Sequence, residues 1–133
     1  MKLRYLVVLA AMGAILVFAS SAMARRVFPT TIIHDGSAAL TGGYSVESGH
    51  LSTPRSQCRL LRLVKLIGHY PSGSTKVLDL DLTSFRGAWA MKADLTGTDH
   101  LTARVTKYKF GRRGHRKVCQ ADSVGFSPPP PAP

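Results

Sequence analysis

Cys58-Arg-Leu-Leu-Arg-Leu-Val-Lys-Leu-Ile67 is the longest apolar run beyond the N-terminus, and its period decides the fold. Read as a strand, it puts Cys58, Leu60, Val64 and Leu66 on one face, interrupted by Arg62. Leu61, Leu63 and Ile67 then share the other face with Arg59 and Lys65. Read as a helix, it aligns Arg55, Arg59, Arg62 and Lys65 along one side, the pattern of a basic amphipathic helix lying on a membrane surface. Periodicity alone leaves both readings open, and the neighbouring segments favour the strand.

Downstream, Val77-Leu-Asp-Leu-Asp-Leu-Thr83 alternates strictly, which predicts an inward face of Leu78, Leu80 and Leu82. Asp79 and Asp81 fall on the opposite face, as solvated carboxylates, partners of basic side chains or a weak cation site. Trp89, Met91, Ala93 and Leu95 alternate again, as do Leu101, Ala103 and Val105. A basic turn spans Gly111 to Gly114, and Arg116 to Ala121 reads as a last short strand. Upstream, Thr30 to Ile33 is a short β-branched run closed by a turn at His34-Asp35-Gly36. Tyr44 and Val46 alternate with polar residues as on a half-buried strand. Turns recur between these segments, at Gly42-Gly43, around Pro54, at Pro71 to Gly73, at Gly87 and at Gly97. Many short strands separated by such turns predict an all-β sandwich, with Trp89 and Val105 in its core beside Leu78, Leu80 and Leu82.

The first residues are of another kind. Lys2 and Arg4 precede an apolar segment from Leu6 to Ala19, and Ala22-Met23-Ala24 has the small-residue spacing of a cleavage site. The apolar stretch is shorter than the ~20 residues of a spanning helix. Residues 1–24 are therefore expected to be a signal peptide cut after Ala24, a retained anchor being the rival. The product is expected to be secreted or associated with the cell envelope. Lys2 and Arg4 leave with the peptide, so the net charge falls from +11 to a still strongly basic +9. Residues 25–29 read as a flexible lead-in, 30–124 as the sandwich and 125–133 as a proline-rich tail, a stiff spacer or frayed end. Two cysteines in an exported chain predict a Cys58–Cys119 disulfide. It would close a loop across 61 positions and contribute about 4 kcal/mol.

A set of short motifs points to a family. Pro29-Thr-Thr-Ile32, Cys58, Arg62-Leu-Val-Lys-Leu66, Thr83-Ser-Phe-Arg-Gly-Ala-Trp89, Ala103-Arg-Val-Thr-Lys107 and Val118-Cys-Gln-Ala-Asp-Ser123 stand in this order. The order resembles small exported actinobacterial proteins with carboxypeptidase regulatory-like or transthyretin-like β-sandwiches. The resemblance spans about residues 29 to 123. It implies a single immunoglobulin-like or transthyretin-like sandwich of about seven strands following the signal-peptide helix, paired cysteines, and no catalytic residues. The turn after Leu82 departs from the family in lacking an acidic residue, which removes a calcium-assisted turn.

No catalytic, cofactor-binding or metal-ligating motif stands in the sequence. The five histidines, His34, His50, His69, His100 and His115, lack local ligand spacing. Ser72, Ser74 and Ser84 lack a nucleophile elbow. The strongest functional signal is charge: Arg104, Lys107, Lys109, Arg112, Arg113, Arg116 and Lys117 form a run without an acid, with Tyr108 and Phe110 interleaved. Such a hairpin suits anionic polymers of the cell envelope, or a further envelope protein, and nucleic acid is not an expected partner of an exported chain. Membrane contact is expected only through an uncleaved N-terminus. The reading is a non-catalytic binding or structural module. Its alternatives are a small secreted hydrolase with a dispersed site and a membrane-active basic protein.

Overall fold

The computed structural model describes residues 26–133. The expected signal peptide lies outside the described residues. Ten strands form, in chain order β1 (Arg26–Phe28), β2 (Thr31–Ala39), β3 (Tyr44–Ser52), β4 (Leu63–His69), β5 (Thr75–Leu82), β6 (Ala88–Asp94), β7 (His100–Val105), β8 (Tyr108–Phe110), β9 (Lys117–Cys119) and β10 (Asp122–Phe126). Seven of them make two antiparallel sheets, β2-β3-β6 and β10-β7-β4-β5, and the other three make a small side sheet, β1-β9-β8. The order of the two larger sheets is that of an immunoglobulin-like Greek-key sandwich, with β5 in the place of a C′ strand. Their facing side chains form one core: Ile32, Leu51, Trp89, Met91 and Ala93 from the first sheet, Val64, Leu66, Leu101, Ala103 and Val105 from the second. At the crossing of β3 and β6, Gly49 lies opposite Trp89. A Cβ on Gly49 would sit 1.9 Å from the Ile33 carbonyl oxygen and 2.5 Å from the indole, so only glycine admits that ring.

The opening run is a central strand from Leu63 onward, hydrogen-bonded to β5 on one side and β7 on the other. It is not a membrane helix, and no helix of the described residues is long and apolar enough to cross a membrane. Its first half departs from the expected strand. Cys58 ends a short 3-10 turn, Ser56–Cys58, the chain turns through Leu60 and Leu61, and both of those leucines are exposed. Nor is β4 buried on both faces: Val64, Leu66 and Gly68 point in, while Leu63, Lys65 and Ile67 are half-buried on the outside.

The expected inward set on β5 is overturned. Leu78 packs against the core, whereas Leu80 and Leu82 are more than half exposed. A register shift against Leu66 and Ile67 puts Asp79 opposite Leu66 and Val77 opposite Ile67, leaving Leu78 as the extra residue of a bulge. One extra residue reverses the phase of all that follows, and here it turns Asp79 and Asp81 toward the neighbouring sheet. Asp81 Oδ2 accepts the Ala90 N–H of β6 at 2.9 Å and Asp79 Oδ2 the Lys92 N–H at 3.2 Å. Their other oxygens accept the Leu82 and Leu80 N–H groups at 2.8 and 2.9 Å. Each carboxylate thus bridges the open edges of two sheets. On the far side of the sandwich, Asp122 Oδ2 accepts the Ile32 N–H at 2.9 Å and joins β10 to β2.

Other expectations are corrected at the amino end. His34-Asp35-Gly36 is no turn: β2 continues through it with a register shift between His34 and Gly36, and the chain reverses at Thr41–Gly43. Ser45, Glu47, Gly49 and Leu51 face inward on β3, in place of Tyr44 and Val46. The lead-in is strand β1, paired parallel to β9. The final expected strand is only β9, and a further strand, β10, runs through Phe126. The proline tail folds back: Pro128 to Pro131 line a cleft of about 220 Å³ with Leu40, Tyr44, Leu95 and Thr98.

Candidate functional site

Cys58 and Cys119 are joined, with Cα atoms 5.5 Å apart, and both are fully buried. The bond lies outside the core cluster that holds Trp89 and fastens the β3–β4 loop to β9. Beside it, Arg62 is the largest fully buried side chain among the described residues, 1% exposed. Its Nη1 donates to the Cys58 carbonyl at 2.8 Å and reaches Thr30 Oγ1 at 3.4 Å. Its Nη2 donates to the Thr106 and Gln120 carbonyls at 2.6 and 2.9 Å. Among the described residues no carboxylate pairs with it. Burial pulls the guanidinium below the ordinary arginine value, with Tyr108 opposing. Arg62 therefore ties four segments together: the Cys58 turn, the approach to β2, the end of β7 and the exit of β9. Two of these, at Thr106 and Gln120, flank the basic hairpin in the chain.

That hairpin is β8–β9, with Tyr108 opposite Cys119 and Phe110 opposite Lys117. Tyr108 and Phe110 stack with centroids 5.9 Å apart, and Lys117 Nζ lies 5.9 Å from the Phe110 centroid. Lys107, Lys109, Arg112, Arg113 and Arg116 are exposed and Lys117 half-buried. Arg104 stands apart from them, on the outer face of β7. There it is opposite Lys65, a like-charge pair with no carboxylate between the two. Lys107 and Arg104 border a groove of about 510 Å³ with Thr106, Asp122 and Ser123.

The topology adds cations that spacing in the sequence did not join to the hairpin. The start of β4, the end of β5 and the end of β7 meet at one end of the sandwich, since Leu63 pairs with Leu82 and Val64 with Val105. The loops carrying Arg55, Arg59 and Arg86 therefore close on the same end, and Arg26 pairs with Lys117 beside them. Arg55 stacks over Phe28 at 4.9 Å, and Arg86 over Phe85 at 5.5 Å. None of the segments 26–28, 53–62, 83–87 and 106–121 contains an acid. Asp122, next in sequence, is engaged by the Ile32 N–H.

Most of the acids have partners of their own. Asp79 and Asp81 hold the β5–β6 seam, Asp35 pairs with His50 at 2.7 Å, and Asp94 accepts from Thr96. Glu47, fully buried, accepts from Ser45 Oγ at 2.7 Å, from Ser37 Oγ, and pairs with His34 Nε2 at 2.9 Å. His34 also stacks on Phe126, centroids 3.7 Å apart. This Ser, His and Glu set differs from a hydrolytic triad. Ser37 Oγ and Glu47 Oε2 both meet the same nitrogen, Nε2, whereas a triad holds the carboxylate on one ring nitrogen and the hydroxyl on the other. His69 and His100 face each other across β4 and β7, rings 5.2 Å apart, and no group of three potential metal ligands occurs among the described residues.

Comparison of the chain with protein-family models, curated proteins and solved structures returns no match. The hairpin and the neighbouring loops make a cation-rich surface mounted on a disulfide and a buried arginine, with Asp122 at its border.

Proposed function

We propose that this chain is an exported, non-catalytic binding module whose basic end holds anionic polymers of the cell envelope. The observation that carries the reading is segregation of charge. The hairpin cations gather with Arg26, Arg55, Arg59 and Arg86 at one end, on segments that hold no acid, while the nearest acids, Asp81 and Asp122, are engaged by the Ala90 and Ile32 N–H groups. Such an arrangement produces a one-signed field that attracts polyanions and falls off with salt. The buried disulfide supports an oxidising compartment. Its covalent hold on the β3–β4 loop and β9 keeps the cations in place, which reduces the ordering cost of binding.

The test is retention on immobilised heparin-like or teichoic-acid-like polyanion at physiological salt. Replacing Arg112, Arg113, Arg116 and Lys117 by glutamine is expected to release the protein at clearly lower salt without changing its β-sheet circular dichroism. Unchanged retention would remove the hairpin from the reading. The intact mass of the exported product, with and without reductant, reports cleavage after Ala24 and the disulfide.

A further inference from the structure

Three large apolar side chains stand in water on the loops of this same end. Leu60 is 44% exposed, Leu61 62% and Phe85 70%. They belong to two loops bonded into one surface: the Leu61 N–H donates to the Thr83 carbonyl at 2.9 Å, the Thr83 N–H to the Arg62 carbonyl at 2.9 Å, and Thr83 Oγ1 to the Arg59 carbonyl. Leu61 has φ +50°, and it is the only non-glycine residue with positive φ among the described residues. That conformation suits glycine or asparagine and is unfavourable for leucine. Leucine therefore occupies a position that disfavours it locally, and it points into solvent, where no packing within the chain offsets the cost. Strain of this kind gathers at sites of contact.

The surroundings of this apolar tip indicate its partner. Arg59 and Arg86 flank it, Arg86 directly over the Phe85 ring, and the hairpin cations lie on the same end. A soluble polyanion would answer the charges and leave the leucines and the phenylalanine wet. An anionic bilayer answers both, with phosphates at the level of the guanidinium groups and an acyl boundary just beneath. We propose that the basic end docks on an anionic lipid bilayer, inserting Leu60, Leu61 and Phe85 at the headgroup–acyl boundary while Arg59, Arg86 and the hairpin cations contact the lipid phosphates. This rests on the reading of the basic end as an anion-binding surface. It also goes beyond the expectation that only an uncleaved N-terminus meets the membrane.

The experiment compares variants of the purified exported chain, so the N-terminus is held constant. Co-sedimentation is measured with phosphatidylcholine vesicles, with and without phosphatidylglycerol, alongside heparin retention. Wild type is expected to bind only the vesicles containing phosphatidylglycerol. The triple variant Leu60→Ser, Leu61→Asn, Phe85→Ser is expected to lose about tenfold or more in vesicle affinity while keeping its heparin retention. Asparagine at 61 suits the backbone, so folding is preserved, and an unchanged β-sheet circular dichroism spectrum reports it. Phe85→Trp is expected to give blue-shifted emission on anionic vesicles alone. Retention on heparin without vesicle binding overturns the lipid proposal, leaves the polyanion reading standing, and directs attention to an acidic polymer or protein. A triple variant that binds vesicles as wild type does also overturns it, since charge alone would then suffice. Binding to neither probe removes both readings.

Discussion

Arg62 offers the sharpest test of how the basic end is held. Replacing it with methionine keeps much of the volume and removes every donor from the Cys58, Thr106 and Gln120 carbonyls. A buried acceptor left without a partner costs about 1–3 kcal/mol, so three of them would cost several. Against this stands relief of the guanidinium's own desolvation, the burial that also lowers its pKa. The net expectation for Arg62→Met is a loss of about 2–4 kcal/mol, a large part of the ~5–15 kcal/mol typical of a domain. Arg62→Lys is expected to recover only part of it. An ammonium radiates its donors from one atom and cannot serve acceptors grouped around two separate nitrogens. Chemical denaturation measures both variants, with the disulfide intact and reduced. Arg62 and the disulfide fasten the same segments, so their effects are expected to be non-additive by about 1 kcal/mol or more. An Arg62→Met cost below about 1 kcal/mol, or an Arg62→Lys variant as stable as wild type, would refute the argument.

Two further outcomes concern the acids. The double variant Asp79→Asn, Asp81→Asn leaves one acceptor oxygen where each carboxylate served two N–H groups. The expected loss is about 1 kcal/mol per site, at the low end because the seam is exposed. The loosened β5 and β6 edges are also expected to associate, visible as increased light scattering; stability and scattering equal to wild type would contradict the seam. Asp94 lies below the ordinary carboxylate range, first because Thr96 Oγ1 donates to it and then because the Thr96 N–H does. A lowered folded-state pKa contributes stability above the unfolded value and loses it as pH falls through the folded value. Thr96→Val is therefore expected to raise the Asp94 midpoint in an NMR titration, and an unmoved midpoint would count against the hydroxyl's role.

Legibility of the fold varied with how local its causes were. On β6 and β7, alternation alone located Trp89, Met91, Ala93, Leu101, Ala103 and Val105 in the core, since both strands are regular and buried on one face. β5 alternates just as cleanly and was inverted beyond Leu78. The bulge there depends on pairing with β4 and on carboxylates reaching β6, and neither is written in the segment itself. On β3 the inward glutamate is acceptable only because Ser37 and His34 arrive from β2. Gly49 in phase with Leu51 was the one local hint of the true face. The hairpin was legible as a run of charge and the disulfide as a pair of cysteines. Arg55, Arg59 and Arg86 were not, because strand direction, not spacing, brings their loops to the same end. Arg62 looked like an interruption of an apolar face and is in fact its largest buried member.

The disulfide has a mechanical consequence as well. Tension applied between the two ends of the chain passes from β1, β2 and β3 to Cys58, across the sulfurs to Cys119, and out through β10. The stretch between the cysteines, which are 61 positions apart, carries none of it. At about 3.3–3.6 Å per extended residue, roughly 200 Å of chain stays out of reach of the pull until the bond is reduced. β4 through β8 then form a covalently closed ring, and a stretched molecule sheds its first strands and its last while that ring keeps its length.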